Sequence, residues 1–83
     1  MKSIGDPRYL EMIACLRAHR ERLRLSQQEL AARLGRPQSY VSKVETCERR
    51  IDLLEALAIC EALGVRLEAI VPASFRHLLR DGT

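Results

Sequence analysis

The chain has no tryptophan, one phenylalanine and two tyrosines among its 83 residues. With Tyr9, Tyr40 and Phe75 as its only aromatics, the core has to be aliphatic, built on Leu, Ile, Val and Ala, a composition that favours helices. A long apolar run is missing at the start, so neither a secretory signal nor a membrane span is expected. CxxC spacing is missing too. Cys15, Cys47 and Cys60 form an odd set, which argues against a disulfide framework and for a reducing cytoplasm. Cys15 and Cys60 fall on apolar faces and read as small core residues. Cys15 and His19 have an i, i+4 spacing, but two ligands make a poor zinc site, so no metal or other cofactor is expected. The sequence has no nucleophile paired with a base at motif spacing and no Gly-rich phosphate loop, and His19 and His77 stand alone; an enzyme is not expected. Repeats, low-complexity segments and long linkers are also lacking. The length suits one domain over residues 1–83, with a modest core that is marginal without a partner.

What is present is mild basicity, +3 in net charge, with arginine supplying twelve of the fourteen positive charges. Arginine favours planar, bidentate contacts to phosphate and guanine. Many soluble domains share this balance, so it carries little weight alone.

The informative stretch is Ser26 to Glu45, SQQELAARLGRPQSYVSKVE. Ser26 and Glu29 make a capping box, in which the hydroxyl takes an orphan amide of the first turn and the carboxylate reaches back to the cap. Leu30, Ala31 and Leu34 give one narrow apolar stripe, which predicts a helix over about 27–34. Gly35 suits a left-handed stop, and Pro37 can open a second helix over about 38–45, where its missing N–H costs nothing. Val41 and Val44 are the buried positions of that helix. Gln38, Ser39, Ser42 and Lys43 remain on its other face. A helix so short has to be held by its neighbours. Gln pairs bidentately with adenine in the major groove, Lys donates to guanine, and small Ser residues allow close approach. Most Gln/Ser/Lys stripes are plain solvated faces; the helix-turn-helix around this one favours base reading.

Residues Leu16 to Val65, about three fifths of the chain, resemble the Cro/phage-repressor type of helix-turn-helix domain, also called the XRE family. The matching residues are Leu16-Arg17, Leu25-Ser26-Gln27, Glu29-Leu30-Ala31, Leu34-Gly35, Ser39, Val41-Ser42, Val44-Glu45, Leu53-Leu54, Leu57-Ala58 and Leu63-Gly64-Val65. The resemblance implies an all-α, lambda-repressor-like fold: a compact bundle of about five helices with a short C-terminal helical extension, binding operator DNA as a dimer. It singles out Gln38 and Ser39 among the base readers. It implies that Gln27, at a helix start, holds a phosphate, and that Arg20 and Glu45 form a partly buried ion pair anchoring the second helix of the motif. Three positions depart from the family pattern: Cys47 replaces a usual Gly, Ile51 a usual Pro, and Pro37 a usual Ser or Thr.

Arg36, Arg49 and Arg50 flank the motif as expected phosphate clamps, with Arg17 a further one. Tyr40 either packs on the DNA backbone or covers the helix junction; both readings stay open. Elsewhere, Asp6-Pro7 opens a first helix running to about Arg24, with Tyr9, Met12, Ile13, Leu16 and Leu23 as its stripe. Met1 to Gly5 reads as a loose tail. Asp52 and Glu55 form a second capping box. Leu54, Leu57 and Ala58, with Cys60 and Leu63, are expected to face the core, and Gly64 to end that helix. Leu67, Ile70 and Val71 suggest a short fifth helix cut by Pro72, with Ser74 capping a last turn over Phe75 to Leu79. The segment 65–80 is more apolar than a tail requires. Leu67, Ile70, Val71, Phe75 and Leu78 are therefore expected in a homodimer interface.

The expected function is a sequence-specific, cytoplasmic transcriptional regulator, a repressor or autoregulator, that binds a palindromic operator in double-stranded DNA as a homodimer. The alternative is a module for a protein partner, such as an antitoxin that covers a toxin, or a restriction-modification controller; polymerase is a further conceivable partner. The polar outer face of the second motif helix weighs against a purely protein-binding role.

Overall fold

A computed structural model describes residues 5–80. These hold four α-helices and two 3-10 segments: α1 (Pro7–Arg22), α2 (Gln27–Leu34), α3 (Gln38–Glu45), α4 (Leu53–Leu63), then Leu67–Ala69 and Ala73–Leu79. No strand occurs among the described residues. Apart from Gly5, the expected tail lies outside them.

Local chemistry explains the helix starts. Asp6 caps α1 by accepting from the Arg8 N–H at 2.8 Å, with Pro7 next in the first turn. Both expected capping boxes are complete, Ser26 with Glu29 and Asp52 with Glu55. Pro37 is the capping residue of α3 rather than its first helical residue, and it offers no side-chain acceptor.

The helix ends share one device. After each helix a residue turns into the left-handed region, and two backbone hydrogen bonds close the last turn as a Schellman motif. Gly35 and Gly64 do this at φ 69° and 71°. Arg24 and Cys47 do it at φ 60° and 63°, although neither is glycine. Arg24 N–H donates to Glu21 O and Leu25 N–H to Arg20 O; Cys47 N–H donates to Val44 O and Glu48 N–H to Lys43 O. The turn at Arg24 is why α1 stops at Arg22, two residues earlier than its composition suggests. Cys47 stands where the family pattern has Gly, and the backbone still takes the glycine conformation.

The core is aliphatic. Ile13 and Leu16 of α1 meet Leu30 and Ala31 of α2, Val41 and Val44 of α3, and Ile59 and Leu63 of α4. Ile51, from the loop before α4, is buried with them, and its N–H donates to the Tyr9 hydroxyl at 3.1 Å. Arg33 ties α2 to α4 by donating to Ala62 O at 2.9 Å.

Four expectations are corrected. In α4 the buried residues are Ala56, Ile59, Cys60 and Leu63, whereas Leu54, Leu57 and Ala58 face outward, as Leu53 does. The helix LLEALAICEAL is apolar nearly all round, so its pattern names no single buried face. Leu23 lies past the end of α1 and is half exposed. The fifth helix is a three-residue 3-10 turn with Ile70 just after it. The last segment starts at Ala73 behind Pro72, and Ser74 does not cap it.

Candidate nucleic-acid interface

Short helix α3 is seated by one side and open on the other. Tyr40, Val41 and Val44 are buried against the bundle. Gln38, Ser39 and Lys43 are exposed and Ser42 is half-buried. The four polar residues singled out from the sequence thus share a continuous outward strip.

A chain of side-chain hydrogen bonds connects that strip to α1. Arg20, the one buried charged residue among those described, donates from Nε to Glu45 Oε2 at 2.6 Å and from NH2 to Oε1 at 3.0 Å. Its third arm reaches Leu25 O at 2.6 Å. Gln27 Nε2 donates to the same Glu45 carboxylate at 2.9 Å, and Gln27 Oε1 accepts from Gln38 Nε2 at 2.7 Å. Three helices therefore set the position of Gln38. The arrangement is also chemically economical. An amide nitrogen carries two hydrogens, so Gln38 keeps one N–H and its Oε1 for a further partner, and Gln27 keeps one N–H.

The arginines cluster beside α3. The Arg36 and Arg49 guanidiniums lie over the Tyr40 ring, 4.3 and 4.8 Å from its centroid. Both also pair with Glu55. Arg50 covers the Tyr9 ring at 4.8 Å. Arg17 sits on the solvent side of α1, paired with Glu21 at 3.1 Å. Tyr40 is only 8% exposed, its ring buried against the bundle. Burial, and then the nearby Glu55 carboxylate, push its hydroxyl pKa upward.

Glu55 was legible in the sequence only as half of a capping box. That role explains its spacing completely, so nothing in the pattern points to its second partnership. The hydrogen bond from the Asp52 N–H holds its carboxyl below the usual range; Arg49 and Arg36 act in the same direction against the cost of burial.

The residues expected at a dimer interface divide. Ile70 is 1% exposed and belongs to the core, a correction that follows from its packing beneath α4 and α1; Leu67 is half-buried against the same core. Val71, Phe75 and Leu78 line an apolar groove with Met12, Leu53 and Ala56. Beside it Leu53, Leu54 and Leu57 form an exposed apolar ridge on α4. No helix among the described residues is long and apolar enough to cross a membrane.

Residues 16–70 match the family model for the helix-turn-helix. No curated protein matches the chain. Among solved structures, the XRE-family like protein from Pseudomonas syringae pv. tomato str. DC3000 is 40% identical, with 94% of this chain and 93% of that chain covered and a TM-score of 0.77. An all-helical bundle that presents a short polar helix, matched in sequence and in backbone over nearly its whole length, belongs to the XRE (Cro/C1-type) family of helix-turn-helix DNA-binding transcription regulators.

Proposed function

We propose that the protein binds a palindromic operator as a homodimer and represses transcription, its own gene included. The observation that carries this reading is the hydrogen-bonded line Arg20–Glu45–Gln27–Gln38, which orients one polar side chain of α3 from the scaffold. A solvated face has no need of such support. Gln38 reads an adenine edge, a contact worth about 1–3 kcal/mol of discrimination. Ser39, Ser42 and Lys43 read or approach neighbouring bases. Gln27, Arg36, Arg49, Arg50 and Arg17 hold phosphates, which position the helix without reading sequence.

The exposed ridge Leu53, Leu54 and Leu57, with Leu78, supports the dimer. One such domain makes few base contacts. Two copies related by a two-fold axis would read half-sites about 34 Å apart. The same ridge favours a second reading, in which it receives a different protein, as in an antitoxin or controller. Selection of duplexes from a random library, joined to light scattering with and without the selected duplex, tests both. A two-fold symmetric site bound by two chains is the expected result. A protein that enriches no sequence would end the operator reading, and a monomer on a single half-site would end the dimer.

A further inference from the structure

Four segments meet beside α3 at one carboxylate. Arg36 comes from the turn before α3 and Arg49 from the loop after it, while Tyr40 of α3 lies under both guanidiniums. Glu55, in the first turn of α4, places its Oε2 2.9 Å from Arg49 NH1 and 3.7 Å from Arg36 NH2. Its Oε1 is occupied, accepting from the Asp52 N–H at 3.0 Å. The carboxylate is therefore pinned by the helix cap and cannot swing aside without undoing it.

Two guanidiniums converging on one oxygen anion form the arrangement that binds a phosphate oxygen. We infer that Glu55 is a resident phosphate mimic: it fills the anion position between Arg36 and Arg49 and so limits the sequence-independent affinity of the protein for nucleic acid backbone. This rests on the DNA-binding reading and adds to it a residue that weakens binding. Phosphate contacts supply most non-specific affinity, through the counterions they release. A fixed negative charge at the clamp leaves a net charge of one on the pair of arginines, and it repels the phosphate that approaches them. The base-reading line through Gln38 does not include Glu55. Its effect therefore falls equally on operator and unrelated DNA.

Glu55→Gln tests this, because glutamine keeps the cap acceptor while removing the charge. Affinity for the selected operator and for a scrambled duplex is read by fluorescence anisotropy over a series of salt concentrations. Both duplexes should bind roughly three- to tenfold more tightly at about 0.1 M salt, with a logarithmic salt slope steeper by about 0.9. Glu48→Gln makes the same change in net charge at a carboxylate that takes its hydrogen bond from Thr46; it should change affinity less than twofold. Unchanged or weaker binding by Glu55→Gln, or an equal gain from Glu48→Gln, would overturn the role of Glu55. Wild-type protein that binds neither duplex would overturn the DNA reading and this inference with it. If Glu55→Gln loses its cooperative melt, the same comparison is made for Glu55→Gln in an Arg24→Gly background, where glycine relieves the left-handed residue after α1. The same gain over Arg24→Gly alone is expected, and no gain would refute the mimicry.

Discussion

Arg20 holds Glu45 through two hydrogen bonds, 2.6 and 3.0 Å long, with their side chains 9% and 6% exposed. The pair joins α1 to the end of α3. Burying two charges costs desolvation free energy that their attraction only partly offsets, so its main contribution is positional; removing one partner leaves the other charged and buried. Glu45→Ala should therefore cost about 3 kcal/mol, the scale for a broken buried pair. Glu48→Ala, at an exposed site, should stay within about 0.5 kcal/mol. Calorimetry that finds equal, small losses would remove the structural role assigned to this pair.

Gln38 and the flanking arginines should separate in their mutant profiles. Gln38→Ala relaxes preference at one or two base pairs and costs about 1–3 kcal/mol on the cognate site only. Arg50→Ala weakens all sequences alike and reduces the salt slope by about 0.9. Gel-shift titrations at several salt concentrations distinguish the two. Indistinguishable profiles would contradict the division into base readers and phosphate holders.

Two left-handed residues that are not glycine mark sites where stability can be gained. Arg24 sits at φ 60° on an exposed turn. A left-handed L-residue costs about 1–2 kcal/mol, and glycine gives back part of that relief through its looser unfolded state. Arg24→Gly should stabilise by about 1 kcal/mol, a rise of about 4–8 °C in Tm. Cys47→Gly should gain less, because the Cys47 side chain packs against the core. A lower Tm for Arg24→Gly would show that its side chain contributes more than its backbone costs.

The apolar ridge can be tested without disturbing the core. Leu54 is 76% exposed, so Leu54→Arg should leave the melting temperature within about 2 °C. Light scattering at micromolar concentration should then show a monomer for Leu54→Arg and the proposed dimer for the wild type. A Leu54→Arg dimer indistinguishable from wild type would place the interface elsewhere.

Asp6 supplies a pH signature. The Arg8 guanidinium, followed by the Arg8 N–H, lowers its pKa from 3.8 to about 2. A carboxylate more acidic in the folded state stabilises fully above its ordinary pKa, and that contribution is lost as pH falls towards the folded value. The Tm difference between wild type and Asp6→Asn should thus be constant above about pH 5 and shrink between about pH 4 and pH 2. Thermal melts across that range check it; a difference that persists undiminished to pH 2 would sink the argument.

Signals that act within one helical turn were readable in the linear chain. Asp6, Ser26 with Glu29, Asp52 with Glu55, Gly35 and Gly64 set helix starts and stops, and α2 and α3 fall on their expected bounds, because a cap needs only the residues three or four places away. The polar strip on α3 was readable for the same reason, since 3.6-residue periodicity sorts its faces. Positions that depend on chain closure were not. The α4 stripe was assigned to the wrong side, because a helix apolar all round acquires its inner face only from what packs on it. Ile70 lies in the core and Val71 at its edge, a difference that no local mark in the sequence announces. Around Tyr40, Arg36, Arg49 and Glu55 come together from three separate segments, a meeting that no local pattern announces. Sequence alone determined where the helices lie and which short helix turns a polar face outward. Tertiary structure decided which apolar residues are hidden and which charges meet, since both depend on distances between segments that no local pattern contains.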